Sequence, residues 1–162
     1  MSKLYVDELH PKTSGKQITF PAKPAFSATL SSDFSFSDAT WSKVIFNNTE
    51  FDIASNFNTS TGAFIAPVDG IYHFDFFLSF NTATQTSSSD YAFGAFYLNG
   101  SAKKYITSLR GLGPSSDTAL NGGITFQLSK NDELCVYVYQ DATSPTLDSN
   151  STRTTFSGHL VG

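Results

Sequence analysis

Cysteine, tryptophan and methionine each occur once in the 162 residues, and Lys, Arg, Asp and Glu together supply only 15% of them. A single thiol, Cys135, closes no intramolecular disulfide, so the fold must hold without crosslinks. Within Leu134-Cys135-Val136-Tyr137 it reads as a small buried hydrophobe. Ten scattered cations against fourteen acids leave a net charge of -4 and a pI near 5.1. That balance excludes nucleic-acid binding by phosphate neutralisation, which needs a clustered surplus of Lys and Arg. No segment of about 18 apolar residues is present to span a bilayer, and Met1-Ser2-Lys3-Leu4 lacks the basic-then-apolar pattern of a secretory signal. The expectation is a soluble chain without membrane insertion. The Asn-x-Ser/Thr sequons at Asn47, Asn58, Asn99 and Asn150 are then accidents of an Asn/Ser/Thr-rich composition.

Catalytic motifs are missing too. There is no Gly-x-Ser-x-Gly elbow to hold a nucleophile on a strained turn, no Gly-rich phosphate loop with lysine, no His-Glu-x-x-His and no paired-cysteine zinc spacing. The expectation is therefore no enzyme activity and no cofactor.

What the chain does hold is aromatic and hydroxyl-rich: Phe 16, Tyr 7, Ser 23 and Thr 18. This balance favours strands over helices. Period-two alternation dominates residues 71–80, with Tyr72, Phe74, Phe76, Leu78 and Phe80 on one face and the other face including His73, Asp75 and Ser79. Further strands are predicted at 25–30, 43–46, 91–98, 103–109, 123–128, 133–140 and 153–161. Asn99-Gly100 predicts a two-residue hairpin turn, and Gly122-Gly123 and Asn131-Asp132 predict later turns. The segment 41–51 is read as strand, although Trp41, Val44, Ile45 and Phe51 also fit helical spacing. Polar stretches 81–90, 110–119 and 141–152 are predicted loops, where recognition can vary without disturbing a core. Eight to ten short strands with such loops predict a sandwich or jelly roll of two antiparallel sheets.

The central stretch carries a spaced signature: Phe46, Asp52, Phe57, Phe64, Gly70, Tyr72, Phe74 and Phe76. Pro24-Ala25-Phe26-Ser27-Ala28 precedes it, Thr61-Gly62-Ala63-Phe64 and Pro67-Val68-Asp69-Gly70 lie within it, and Phe156-Ser157-Gly158-His159-Leu160 follows. Over 24–162 the chain resembles the C1q-type globular head. The resemblance implies an all-β C1q/TNF-like antiparallel jelly roll, assembled as a homotrimer on a threefold axis. It assigns Phe46, Asp52, Phe57, Phe64, Gly70, Tyr72, Phe74, Phe76, Phe156 and Gly158 to the fold rather than to a ligand. The glycines at 62 and 70 are expected to give backbone freedom at turns before strands, and the aromatic positions to fill the interior.

Residues 1–23 differ. Pro11 and Pro21 break them, and Lys3, Lys12, Lys16 and Lys23 hold four of the ten cations. Heads of this kind usually follow a Gly-X-Y collagen stalk and a secretion signal, and this chain shows neither. Its opening, Leu4-Tyr5-Val6-Asp7-Glu8-Leu9-His10-Pro11 with Ser14-Gly15, resembles the start of bacteriophage tail-fibre and virion proteins. That resemblance implies a segment 1–23 that anchors to other virion proteins or intertwines about the threefold axis, with assembly in a host cytoplasm. The expected function is a trimeric fibre knob or adsorption module recognising a bacterial surface glycan or protein. A capsid decoration protein and a free C1q-like carbohydrate-binding adhesin are the alternatives.

Few side chains stand out as ligand contacts. His73 and Asp75 share one strand face and can converge on a cation or on each other. Relatives that bind calcium between subunits use oxygen ligands, which Asp33, Asp38, Asp117, Asp141 or Asp148 can supply, but no spacing nominates a site. Tyr91, Tyr97, Tyr105, Tyr137 and Tyr139 suit stacking on sugar rings, while strand tyrosines, like a lone Trp41, more commonly pack in a core or against a subunit.

Overall fold

Thirteen β-strands and no helix make up the regular structure in a computed structural model that describes residues 23–81, 91–110, 118–141, 145–149 and 153–162. In chain order they are β1 (Ala25–Thr29), β2 (Phe34–Ser35), β3 (Ser42–Lys43), β4 (Asn48–Ile53), β5 (Phe57–Asn58), β6 (Ala63–Ile65) and β7 (Gly70–Phe80). There follow β8 (Tyr91–Leu98), β9 (Ser101–Arg110), β10 (Thr118–Leu128), β11 (Glu133–Gln140), β12 (Thr146–Leu147) and β13 (Thr155–Leu160). The first sheet runs β2-β12-β7-β13-β1-β4, with β10 also paired to β7. The second runs β5-β6-β11-β8-β9, with β3 paired to β11. Every pairing is antiparallel. The all-β jelly-roll expectation holds.

The period-two pattern of β7 sets its two faces. Tyr72, Phe74, Phe76, Leu78 and Phe80 are buried, while Ile71, Asp75 and Phe77 are exposed. Between the sheets the rings meet directly, Phe26 stacking on Phe57 at 4.6 Å and Phe64 meeting Phe74 at 5.3 Å, while within the first sheet Phe26 meets Phe156 edge-on at 4.9 Å. Such pairs each add about 0.5–1.5 kcal/mol beyond the area they bury. The Tyr72 hydroxyl, taken into this interior, donates to the Val68 carbonyl at 2.8 Å, so its polar atom is satisfied. Phe46 and Phe156 are fully buried in the same cluster, and Gly158 lies against the rings of Phe74 and Phe26.

Asp52 is not a space-filling residue. Its carboxylate accepts the backbone N–H groups of Asn56 and Phe57, holding a turn in which Ala54 and Ser55 take φ of 74° and 54°.

Several local expectations change. Gly62 does need its freedom, with φ of 63°, but Gly70 has no such φ. A Cβ there would meet Leu160 Cδ1 at 2.6 Å, so Leu160 packs over the space that the glycine leaves. Gly122 and Gly123 do not turn the chain; they lie inside β10, where a Cβ on either runs into Ile106 or Asp75. The strand therefore begins at Thr118, within the stretch expected to be a loop. Residues 41–51 are not one strand, because the chain leaves the second sheet after Lys43 and joins the first at Asn48. The predicted loop 141–152 contains β12, whose Leu147 is fully buried and pairs with Phe80. The Asn99-Gly100 hairpin is present, with φ of 50° and 76°. Segment 1–23, except Lys23, and residues 82–90 of the predicted loop lie outside the described residues.

Candidate functional site

The five tyrosines and Trp41 do not enter the interior. They gather on the outer face of the second sheet, because Tyr91, Phe93 and Tyr97 on β8, and Tyr137 and Tyr139 on β11, alternate with inward Ala92, Gly94, Phe96, Val136 and Val138. Diagonal neighbours stack across the strands: Tyr97 on Tyr137 at 3.8 Å and 19°, and Tyr91 on Tyr139 at 5.7 Å and 17°. Between them Ala95 pairs with Tyr137 on one side and Tyr105 on the other. Its small side chain leaves a dip among rings.

Trp41 crosses that dip. It precedes β3, at the far side of β11, yet its ring centroid lies 5.6 Å from Tyr139, 6.2 Å from Phe93, 6.2 Å from Tyr97 and 5.2 Å from Tyr105. The indole thus reaches over β11 and β8 to β9. A turn at Asp38–Thr40 sets this course: Ala39 takes φ of 49° and its N–H donates to the Gln140 carbonyl at 3.0 Å. Trp41, Tyr91, Phe93, Tyr105 and Tyr139 line a recess of about 490 Å³. That volume is within the range of about 300–1,000 Å³ common for small-molecule sites.

The Tyr139 phenol is pushed up to about 12, first by its hydrogen bond with Tyr91, then by desolvation and the charges of Tyr91, Asp141 and Asp38. The hydroxyl therefore stays protonated at neutral pH. None of the five lining residues carries a cation. Farther along this face Lys43 Nζ lies 3.2 Å from Glu133 Oε1, and Cys135 Sγ donates to the same oxygen at 3.2 Å. Burial pushes the Cys135 thiol up to about 12, which makes it a poor nucleophile.

The other candidates separate. His73 Nε2 and Asp75 Oδ2 meet at 3.1 Å on the outer face of the first sheet, and His73 Nδ1 engages Thr125 Oγ1 at 3.0 Å. Among the described residues no group of three His, Cys, Asp or Glu side chains is placed to hold a metal. Asp33 accepts from the Ser149 N–H at 2.8 Å, Asp38 and Asp141 act on Tyr139, and Asp117 lies outside the described residues. The individual tyrosines were visible in the sequence; their convergence with Phe93 was not, because it depends on which strands are neighbours.

Comparison with known proteins agrees with this architecture. The C1q domain profile matches residues 25–161. The chain belongs to the C1q domain family. Its fold is similar to that of the globular domain of zebrafish complement 1qA protein, with 21% identity, a TM-score of 0.60, and coverage of 86% of this chain and 98% of that one. Murine APRIL is 11% identical with a TM-score of 0.61, covering 86% and 99%. Eiger TNF from S. frugiperda is 10% identical with a TM-score of 0.61, covering 86% and 91%. C1q- and TNF-like domains are generally binding modules and typically homotrimers, and the fold is consistent with that arrangement.

Proposed function

We propose that this C1q-like chain is a homotrimeric, non-enzymatic binding head that serves as the fibre knob or adsorption module of a bacteriophage particle and recognises a bacterial surface component. The observation that carries the reading is a division of labour between its two outer faces. On the first sheet Phe51, Ile53, Ile71 and Phe77 are 38–49% exposed among small neighbours such as Ser27, Ser157 and Gly123, a surface suited to a second copy of the chain. On the second sheet the aromatic recess remains open for a ligand. Three linked recesses raise avidity without new contacts, which suits weak recognition of a repetitive cell surface. The phage-like opening of residues 1–23 supports mounting on a virion.

Sedimentation of the purified protein tests the assembly, with a trimer expected and a stable monomer overturning it. Immunogold labelling of particles tests the location. Label on tail fibres supports the adsorption role, label on the capsid favours a decoration protein, and particles without label favour a free adhesin. Deleting residues 1–23 is expected to abolish incorporation while leaving the head folded.

A further inference from the structure

We infer that the recess beneath Trp41 is a stacking subsite for an uncharged pyranose unit of a surface polysaccharide. The inference rests on the reading of the chain as a surface-recognising head and names the chemistry of its ligand.

A pyranose has C–H faces and a rim of hydroxyls, so it needs apolar plates on one side and short-range donors and acceptors at the edge. The recess supplies both. Trp41 is inclined by 38–48° to Phe93, Tyr105 and Tyr139, so the rings form a bowl rather than a closed stack. Tyr91, Tyr105 and Tyr139 bring three phenol hydroxyls to the same lining. The charge pattern selects further. No lining residue is cationic, so the recess offers no partner for the charge of a phosphorylated, sulfated or carboxylated sugar. A quaternary ammonium ion would meet the rings but make no use of the phenol hydroxyls at their edge. The aromatic face also continues past the recess to the Tyr97–Tyr137 stack, which extends the platform in the manner a chain of sugars would use.

Trp41 is the sole tryptophan, so intrinsic fluorescence of the full chain reports directly on this site. The experiment titrates the protein with linear neutral gluco-, manno- and galacto-oligosaccharides, with hexose phosphates and sulfated hexoses, and with choline, into the millimolar range. At least one neutral oligosaccharide is expected to shift the emission saturably. The Tyr105→Ala variant removes a ring that is 62% exposed and leaves the core intact; its affinity is expected to fall about tenfold by calorimetry. Response only to anionic sugars or only to choline overturns the inference. So does a neutral-sugar affinity, measured by calorimetry, that stays at the unmutated protein's value in both Tyr105→Ala and Trp41→Ala, each checked for native circular dichroism. Trp41 inaccessible to acrylamide in the assembled protein overturns it as well, since a neighbouring subunit would then fill the recess. A head that binds bacterial cells but no neutral oligosaccharide defeats this inference and leaves the adsorption role standing. Sugar binding without cell binding does the reverse.

Discussion

The carboxylate of Asp52 holds the backbone of Phe57, accepting its N–H at 3.0 Å while also accepting that of Asn56 at 3.1 Å. This grip closes the turn that carries Ala54 and Ser55 at positive φ, a conformation that costs about 1–2 kcal/mol for each residue with a Cβ. Asp52→Ala is therefore expected to destabilise the protein by about 1–3 kcal/mol, measured by chemical denaturation, because two N–H groups lose a charged acceptor. Asp52→Asn, which keeps an acceptor oxygen, should recover part of the loss.

Two glycines at positive φ separate strain from crowding. Gly62 and Gly100 have φ of 63° and 76°, but a Cβ at Gly62 runs into the Val44 carbonyl, whereas one at Gly100 meets nothing within 4 Å. Gly100→Ala should cost about 1–2 kcal/mol from backbone conformation alone. Gly62→Ala should cost clearly more, and equal melting temperatures for the two variants would contradict the close approach of Val44.

Leu147 tests the short strand β12. It is fully buried beside Phe80, though only two residues of its strand are paired. Leu147→Ala should lose about 2–5 kcal/mol, as at a core position. A change under about 0.5 kcal/mol would be the behaviour of a surface loop.

Cys135 gives stability a pH dependence at the alkaline end. Its ordinary value of 9.0 is pushed up to about 12, mainly by burial, with Glu133 adding and Lys43 opposing. The unfolded thiol ionises first, so this contribution is complete below pH 9 and is lost as pH rises toward 12. The melting temperature of the protein should accordingly fall relative to that of Cys135→Val above pH 9. A difference that stays constant from pH 7 to 11 would contradict the burial of a neutral thiol. Alkylation by a thiol reagent should require unfolding.

Much of the interior was legible because burial leaves a periodic trace. The alternation of 71–80 marks one face of β7, and Asn99-Gly100 marks the hairpin between β8 and β9. Short elements leave no such trace. Two-residue β12 is placed by the long β7 beside it, whose open hydrogen-bonding groups it meets, and β2 pairs in turn with β12. Gly122 and Gly123 look like a turn in isolation, yet inside β10 they pair with Phe76 and Asp75, and the side chains of Ile106 and Asp75 lie where their Cβ atoms would be.

The aromatic face shows the same boundary. Alternation along β8 and β11 already puts Tyr91, Phe93 and Tyr97 on one side of their strand and Tyr137 and Tyr139 on one side of theirs. Which side is outermost, and that Trp41 and Tyr105 close over Ala95 from opposite flanks, follows from the order in which β3, β11, β8 and β9 lie side by side. Local periodicity is written residue by residue, since each side chain's direction depends on its own backbone. Strand order is not, since it emerges when the two sheets bury their apolar faces together, and that is a property of the whole chain.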